Sequence, residues 1–251
     1  MNLFSNFLNM GKLYLSIFFL LTNSLFIQAQ NSSNNLWSDL NLGYEIFKNI
    51  DVKYELGNRI NSNQARANYH DFIVKYSVNN FLKIALGTRH SNLSFLDSST
   101  FNSGTEEDFE DIADRFHFDI SGRLLKLNNF KMKYRLRAQR KIRDFYSNTP
   151  LNFKRTYIRS RVLIEYPFSK KLRTNGGSEL FFSIQENSPL YIRKHRHIAG
   201  LEYDFNKIYT IRVQYLFQRE VRPASTESLN IVALDFKIDL NELSKKINSK
   251  N

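Results

Sequence analysis

An all-β, antiparallel transmembrane β-barrel of an outer membrane is the architecture this sequence predicts, and three observations predict it. The first is Phe130–Arg140, where every even position from Phe130 to Ala138 is apolar and the odd positions Lys131, Lys133, Arg135, Arg137 and Gln139 are polar. A period of two sends all the apolar side chains to one face of a strand and all the charge to the other. Wound as a helix, the same residues would scatter both kinds around the circumference and leave no face to bury. The second is that this alternation recurs on about eleven segments, each near the ~9–11 residues needed to cross a bilayer at a tilt. The third is an export-like leader ahead of them.

The leader occupies residues 1–29. Lys12 supplies a positive start, Leu13–Leu21 an apolar core, and Ile27-Gln28-Ala29 a cleavage site before Gln30. The core falls short of the ~20 residues of a spanning helix, which disfavours an uncleaved anchor. Residues 30–239 are expected to form the barrel and 240–251 a short basic tail. The chain has 251 residues, a net charge of +12 and no cysteine, which excludes disulfides, thiolate chemistry and Cys-based metal sites. A mean hydropathy of −0.44 excludes a helical membrane protein. Phe (22) and Tyr (13) dominate the aromatics, as suits strands. The cations are spread over alternating strand positions instead of clustering, so no nucleic-acid partner is expected despite the basic balance.

Taken in order, the expected strands are Leu36–Tyr44, Ile50–Arg59, Tyr69–Val78, Phe81–His90, Arg115–Arg123, Phe130–Arg140, Arg155–Tyr166, Leu172–Ile184, Arg193–Phe205, Tyr209–Glu220 and Leu229–Ile238. Asn79-Asn80 reads as a two-residue hairpin turn because Asn tolerates positive φ. Gly176-Gly177 suggests a bulge or bend. Leu240–Asn251 could add one helical turn or two.

Connections alternate in length. Short ones fall at 45–49, 79–80, 124–129, 167–171 and 206–208; long polar ones fall at 60–68, 91–114, 141–154, 185–192 and 221–228. Outer-membrane barrels carry short turns on the periplasmic side and longer loops outside. Tyr44, Phe47, Tyr76, Phe81, Phe130, Tyr166, Phe168, Tyr203, Phe205 and Tyr209 crowd the short-turn ends, where they would form an interfacial girdle. A water-soluble β-sandwich or ligand-binding barrel would show the same periodicity with inside and outside exchanged. The leader, the strand length and the large apolar residues on nearly every strand favour the membrane. Eleven segments alternate, but bacterial single-chain barrels usually have even strand counts, so within 10–12 strands the even totals 10 and 12 are expected, with 12 favoured.

Several motifs resemble a known family. They are Asn35-Leu36-Trp37, Ile50-Asp51-Val52-Lys53-Tyr54-Glu55-Leu56, Arg115-Phe116-His117-Phe118-Asp119, Tyr134-Arg135-Leu136-Arg137-Ala138-Gln139 and Tyr157-Ile158-Arg159-Ser160-Arg161. In order and spacing they resemble the Bacteroidetes-type family called domain of unknown function 2490, over most of residues 35–239. The resemblance implies an outer-membrane barrel of undefined activity and brings no catalytic residues with it.

The charged faces are the candidate functional surface. Arg115, Arg123, Lys131, Lys133, Arg135, Arg137, Arg159 and Arg161 form a basic ladder on three strands consecutive in sequence. Asp51, Glu55, Asp71, Asp119, Glu165 and Glu179 are expected to face them in the lumen. Two readings follow: a salt-bridge lattice that fills and closes a narrow barrel, or an anion-attracting pore, since charge rings set selectivity. An enzyme acting on lipid or peptide is a third, resting on His117, Asp119 and Ser121 on one strand face. Residues two apart lie ~7 Å along a strand, too far for a relay between short side chains. His195 and His197 share a face near a loop, and an exposed basic rim explains them better than a metal. The acidic run Glu106–Asp114 lacks the ligand spacing of a calcium loop. No Gly-rich phosphate loop or zinc-protease motif occurs. No cofactor, metal or catalytic residue is therefore assigned. The expected surroundings are outer-membrane lipid and lipopolysaccharide, the barrel-assembly machinery during biogenesis, and a monomeric state.

Overall fold

The structure, a computed structural model, describes residues 32–60, 66–79, 81–94, 114–127, 129–141, 156–184, 190–221 and 228–249. The leader and the acidic run 106–113 lie outside them. The strands are β1 (Ser32–Phe47), β2 (Ile50–Ile60), β3 (Arg66–Ser77), β4 (Lys83–Ser94), β5 (Arg115–Leu127), β6 (Phe130–Lys141), β7 (Thr156–Pro167), β8 (Leu172–Ile184), β9 (Tyr191–Asp204), β10 (Tyr209–Glu220) and β11 (Ser228–Asp239). They close into one barrel in chain order, with β1 beside β11. A helix, α1 (Leu240–Asn248), follows. No described helix is long and apolar enough to cross a membrane.

The count is eleven, not the preferred twelve. The even-number expectation assumes that every pair, including the closing one, is antiparallel. Each strand here is antiparallel to the one before it, so an odd total makes β1 and β11 run the same way. Side-chain contacts trace that parallel seam: Asn34 meets Asn230 at 3.5 Å, Asn41 donates to Asp235, and Glu45 meets Asn241. Both chains advance together. At the end of the seam the Asn241 amide replaces a peptide group: its Oδ1 accepts from the Glu45 N–H at 2.7 Å and its Nδ2 donates to the Glu45 carbonyl at 3.1 Å. Asp239 ends β11 and caps α1, its carboxylate accepting from the Glu242 N–H at 3.0 Å. Lys245 donates to Glu242 at 2.7 Å and holds that exposed carboxyl below its usual range.

The register sets the shear. A row leaving β1 at Phe47 runs through Ile50, Tyr76, Ile84, Ile120, Leu136, Ser160, Leu180, His195 and Arg219 to Ser228, two residues from the partner of Asn34. One circuit re-enters β1 about 14 residues from its start, a stagger that tilts the strands by about 40°.

The alternation resolves as charge inside and apolar groups outside. Leu136 is 44% exposed while its neighbour Arg137 is 5% exposed. Leu86, Phe116, Phe72, Val162, Leu201, Val213 and Val232 are likewise exposed. Aromatics gather at the short-turn ends as expected: Phe130 on Tyr166 (5.0 Å), Tyr166 on Phe168 (5.2 Å), Tyr203 on Phe205 (5.1 Å) and Tyr209 stacked on Phe236 (6.1 Å).

Three local expectations need correction. The turn at Asn79 is wider than two residues: β3 and β4 pair last at Ser77 and Lys83. The Asn79 carboxamide accepts from the Phe81 and Leu82 N–H groups at 2.8 and 2.9 Å, an Asx turn that closes the longer loop. Conversely, β5 continues to Leu127, opposite Phe130, with a bulge between Arg123 and Leu125. The irregularity in β8 lies between Phe181 and Phe182, where β9 inserts Arg193, and not at Gly176-Gly177. Gly177 is required by close approach instead: a Cβ there would sit 2.1 Å from the Val162 carbonyl oxygen.

That contact yields a prediction. Gly177→Ala should lower unfolding stability by about 1–3 kcal/mol through overpacking. Gly43→Ala, where the nearest atom is 4.0 Å away, should stay within about 0.5 kcal/mol. Urea unfolding of the detergent-solubilised protein, followed by circular dichroism, reads both. Equal effects would contradict the β7–β8 approach.

Candidate functional site in the barrel interior

The inward side chains join into a polar network to which all eleven strands contribute. On β1–β3, Arg59 donates to both oxygens of Asp39 at 2.7 and 3.1 Å. The Tyr69 hydroxyl accepts from Arg59 at 2.5 Å and lies 2.7 Å from Asp39 and 2.5 Å from Glu55, its one proton serving one carboxylate at a time. Its ring covers Gly57, where a Cβ would lie 2.1 Å from it. Arg89 of β4 grips Asp71 through Nε (3.0 Å) and Nη2 (2.8 Å) and stacks on the Tyr69 ring at 3.6 Å. The His117 Nε2 meets the other Asp71 oxygen at 3.0 Å, and Arg137 forks onto Asp119 at 2.6 and 2.8 Å.

Glu179 of β8 is the hub of the opposite wall. Three guanidinium groups converge on it: Arg135 at 2.8 Å, Arg159 at 3.1 Å and Arg196 at 3.5 Å. Gln139 and Gln218 supply further acceptors to Arg159 (3.4 Å) and Arg196 (2.5 Å). Toward the seam, Glu202 takes Arg173 and Arg212 at 2.6 Å each and Lys237 at 3.1 Å, while Arg212 reaches Asp235 at 3.4 Å.

Exposure grades along the barrel axis. Asp71, Arg89, His117, Asp119, Arg137, Arg159, Glu179 and Arg196 keep between 0 and 10% of their side-chain surface. Lys53, Lys75, Lys133 and Arg173, nearer the short turns, keep 36–47%. The charge layer is therefore tight across the middle and toward the long-loop end, and opens toward the short-turn end.

Of the predicted ladder, Arg115, Arg137 and Arg159 are buried. Arg123, Lys131, Arg135 and Arg161 are half-buried, and Lys133 is exposed at the mouth and paired with Glu165 at 2.6 Å. Of the acids, Asp71, Asp119 and Glu179 are buried, whereas Asp51, half-buried, meets Lys75 at 2.5 Å near the mouth. Glu55, half-buried, lies 2.6 Å from Lys53 and 3.6 Å from Arg89.

His117 and Ser121 are not brought together. The imidazole is fully buried between Asp71 and Asp119, and Ser121 pairs with Lys83 and Arg135. His195 and His197 face outward with ring centroids 5.2 Å apart, whereas Arg193 is buried at the β9 irregularity. Among the described residues no three His, Cys, Asp or Glu side chains form a metal-binding group. Asp114, the last residue of the acidic run, accepts from the Ser91 N–H at 2.5 Å and lies 3.2 Å from His90.

Sequence reasoning missed the aromatics of the interior. Trp37, Tyr69 and Phe181 share the parity of the charged residues, which was the available signal. Each carries guanidinium groups on its ring: Arg59 and Arg196 on Trp37 (4.5 and 4.9 Å), Arg59 and Arg89 on Tyr69 (4.7 and 3.6 Å), Arg159 and Arg196 on Phe181 (4.5 and 4.9 Å). Aromatic faces attract these cations beyond what the carboxylates provide.

The grading makes Glu179 and Glu165 unequal. Glu179→Ala strands two buried guanidinium groups, Arg159 and Arg196, and the half-buried Arg135, and should cost about 3–5 kcal/mol. Glu165→Ala removes one solvent-facing pair and should cost at most about 1 kcal/mol. Urea titration of both variants checks the ratio, and comparable losses would contradict a dry hub.

A family model described as "Protein of unknown function (DUF2490)" matches residues 34–229. No curated protein matches the chain. A solved structure described as a bacterial polysaccharide outer membrane secretin is similar at 11% identity and a TM-score of 0.44, over 77% of this chain and 65% of that one. The chain thus spans about two thirds of that neighbour's length. With the family match running from β1 to the start of β11, the chain belongs to the DUF2490 family of proteins of unknown function.

Proposed function

We propose that this chain is an outer-membrane β-barrel whose lumen is closed by its own side chains, a structural or plugged barrel without solute flux. The observation that carries the reading is the inversion of burial: large apolar groups are exposed around the wall while Asp71, Arg137, Arg159 and Glu179 are buried within. In water such a wall would expose far more contiguous apolar surface than a soluble protein carries. In hydrocarbon it is solvated, and a closed barrel leaves no backbone edge unsatisfied. About four or five outward apolar positions per strand give a belt near the ~25 Å of outer-membrane barrels. Residues 1–29 would serve as the export leader. Lipid and lipopolysaccharide would cover the belt, the assembly machinery would insert it, and the monomer would suffice because the sheet has no free edge.

A narrow anion-preferring pore is the second reading, favoured by the exposed lysines at the short-turn mouth. Planar-bilayer recording separates the two. The plugged barrel predicts no conductance steps from protein that shows heat-modifiable gel migration and a strand-rich spectrum. Reproducible anion-selective steps would replace it with the pore, and a helical spectrum would reject both.

A further inference from the structure

The charges of the inner wall do not balance, and the imbalance is local. Among the described residues around the Glu179 hub are five arginines, Arg135, Arg137, Arg159, Arg161 and Arg196, and two carboxylates, Glu179 and Asp119. Asp119 is taken by Arg137 from both sides of its fork, and Glu179 already receives three arginines. Arg161 is left over. Among the described residues it has no hydrogen bond or ion pair, although it stands between Arg135 of β6 and Glu179 of β8 in the register.

Its register makes this more acute. Arg161 stands directly opposite Arg135 across the β6–β7 pair, on the same inward face. Side chains leaving opposed positions are about 5 Å apart at Cβ, and like charges there repel. Arg137 and Arg159 are opposed in the same way, but each is in contact with a carboxylate, Asp119 for Arg137 and the shared Glu179 for Arg159. Arg135 spends one Nη on Glu179, and its buried Nε has no hydrogen-bond partner. Two arginines opposed across β6 and β7 therefore keep donors that no described group accepts, at the level where the layer begins to open. Arg135 keeps 17% of its side-chain surface, against 1% for Glu179 beside it.

We propose that Arg135 and Arg161 form a binding site for a doubly charged oxyanion of the phosphate class, entered from the short-turn mouth. Planar guanidinium forks bind tetrahedral oxyanions through paired N–H···O contacts. A dianion would neutralise the charge that Glu179 leaves over and relieve the repulsion between the opposed arginines. The lysines at the mouth, Lys75 and Lys133, would draw anions toward it. The phosphate could be free or carried on a lipid head group. This inference concerns the interior of the barrel and stands apart from the question of conductance.

The test uses the full-length barrel in zwitterionic detergent, as wild type, Arg161→Gln and Lys245→Gln. Thermal unfolding is followed in chloride, with inorganic phosphate or short-chain phosphatidate added at matched ionic strength. Without phosphate, Arg161→Gln should unfold at or above the wild-type midpoint, because it removes an unbalanced buried charge. With millimolar phosphate, the wild type and Lys245→Gln should rise by several degrees. Arg161→Gln should stay within one degree and bind at least ten-fold more weakly by calorimetry. A shift with phosphatidate alone, lost in Arg161→Gln, supports the site with a lipid-borne phosphate as its ligand. No shift in the wild type beyond chloride, or an equal shift in Arg161→Gln, overturns it. Native-like migration on unheated gels in every sample shows that the barrel itself is intact.

Discussion

An ion taken out of water has to meet its opposite, and this barrel depends on that constraint. Large apolar side chains are exposed on the outward faces of most strands. The inward faces must therefore hold the charge, and a lumen bounded by eleven strands is narrow enough that long side chains reach across it. Arginine suits the task because its flat fork engages a carboxylate with two N–H groups and still lies on an aromatic ring. Arg89 does both at once, with Asp71 on its edge and Tyr69 on its face.

Closure imposes a second constraint. A chain that lays down each strand beside the last, and stops at an odd number, has to seal itself with parallel neighbours. That seam lacks the hairpin that holds every other pair. It is reinforced by side chains instead: Asn41 to Asp235 inside the wall, Trp37 packed against the cluster of Ile198, Leu216, Ile231 and Ala233, and Asn241 standing in for a peptide group at the end. This apolar cluster of buried residues spans β9, β10 and β11 and meets β1 through Trp37.

Much of this was legible from periodicity. Strand positions and the division of residues between two faces follow from parity, which puts Arg137 and Glu179 on the charged face; that this face is the inner one needed the leader, the strand length and the apolar load as well. What parity could not carry was pairing. That Glu179 gathers Arg135, Arg159 and Arg196, while Arg161 gathers nothing, depends on the shear and on side-chain reach across a curved wall. The strand total was misjudged because a rule about typical barrels was set above the count the sequence itself displays. The β5 bulge and the insertion of Arg193 were hidden for a related reason: one extra residue shifts the face of those after it, and local composition does not mark where. The inward aromatics Tyr69 and Phe181, which stand on the charged parity and are buried, were not among the residues the sequence singled out.

The central claim is that adjacent residues of one strand face hydrocarbon and a sealed polar interior. Because the natural chain has no cysteine, single spin labels can be placed without background. Ala85 is 7% exposed and Leu86 is 64% exposed, side by side in β4. In lipid vesicles, a label at Leu86→Cys should collide strongly with dissolved oxygen and weakly with a water-soluble nickel chelate, while a label at Ala85→Cys should be immobile and shielded from both. Free access of the nickel chelate to the Leu86 label, with the protein folded, would contradict the account.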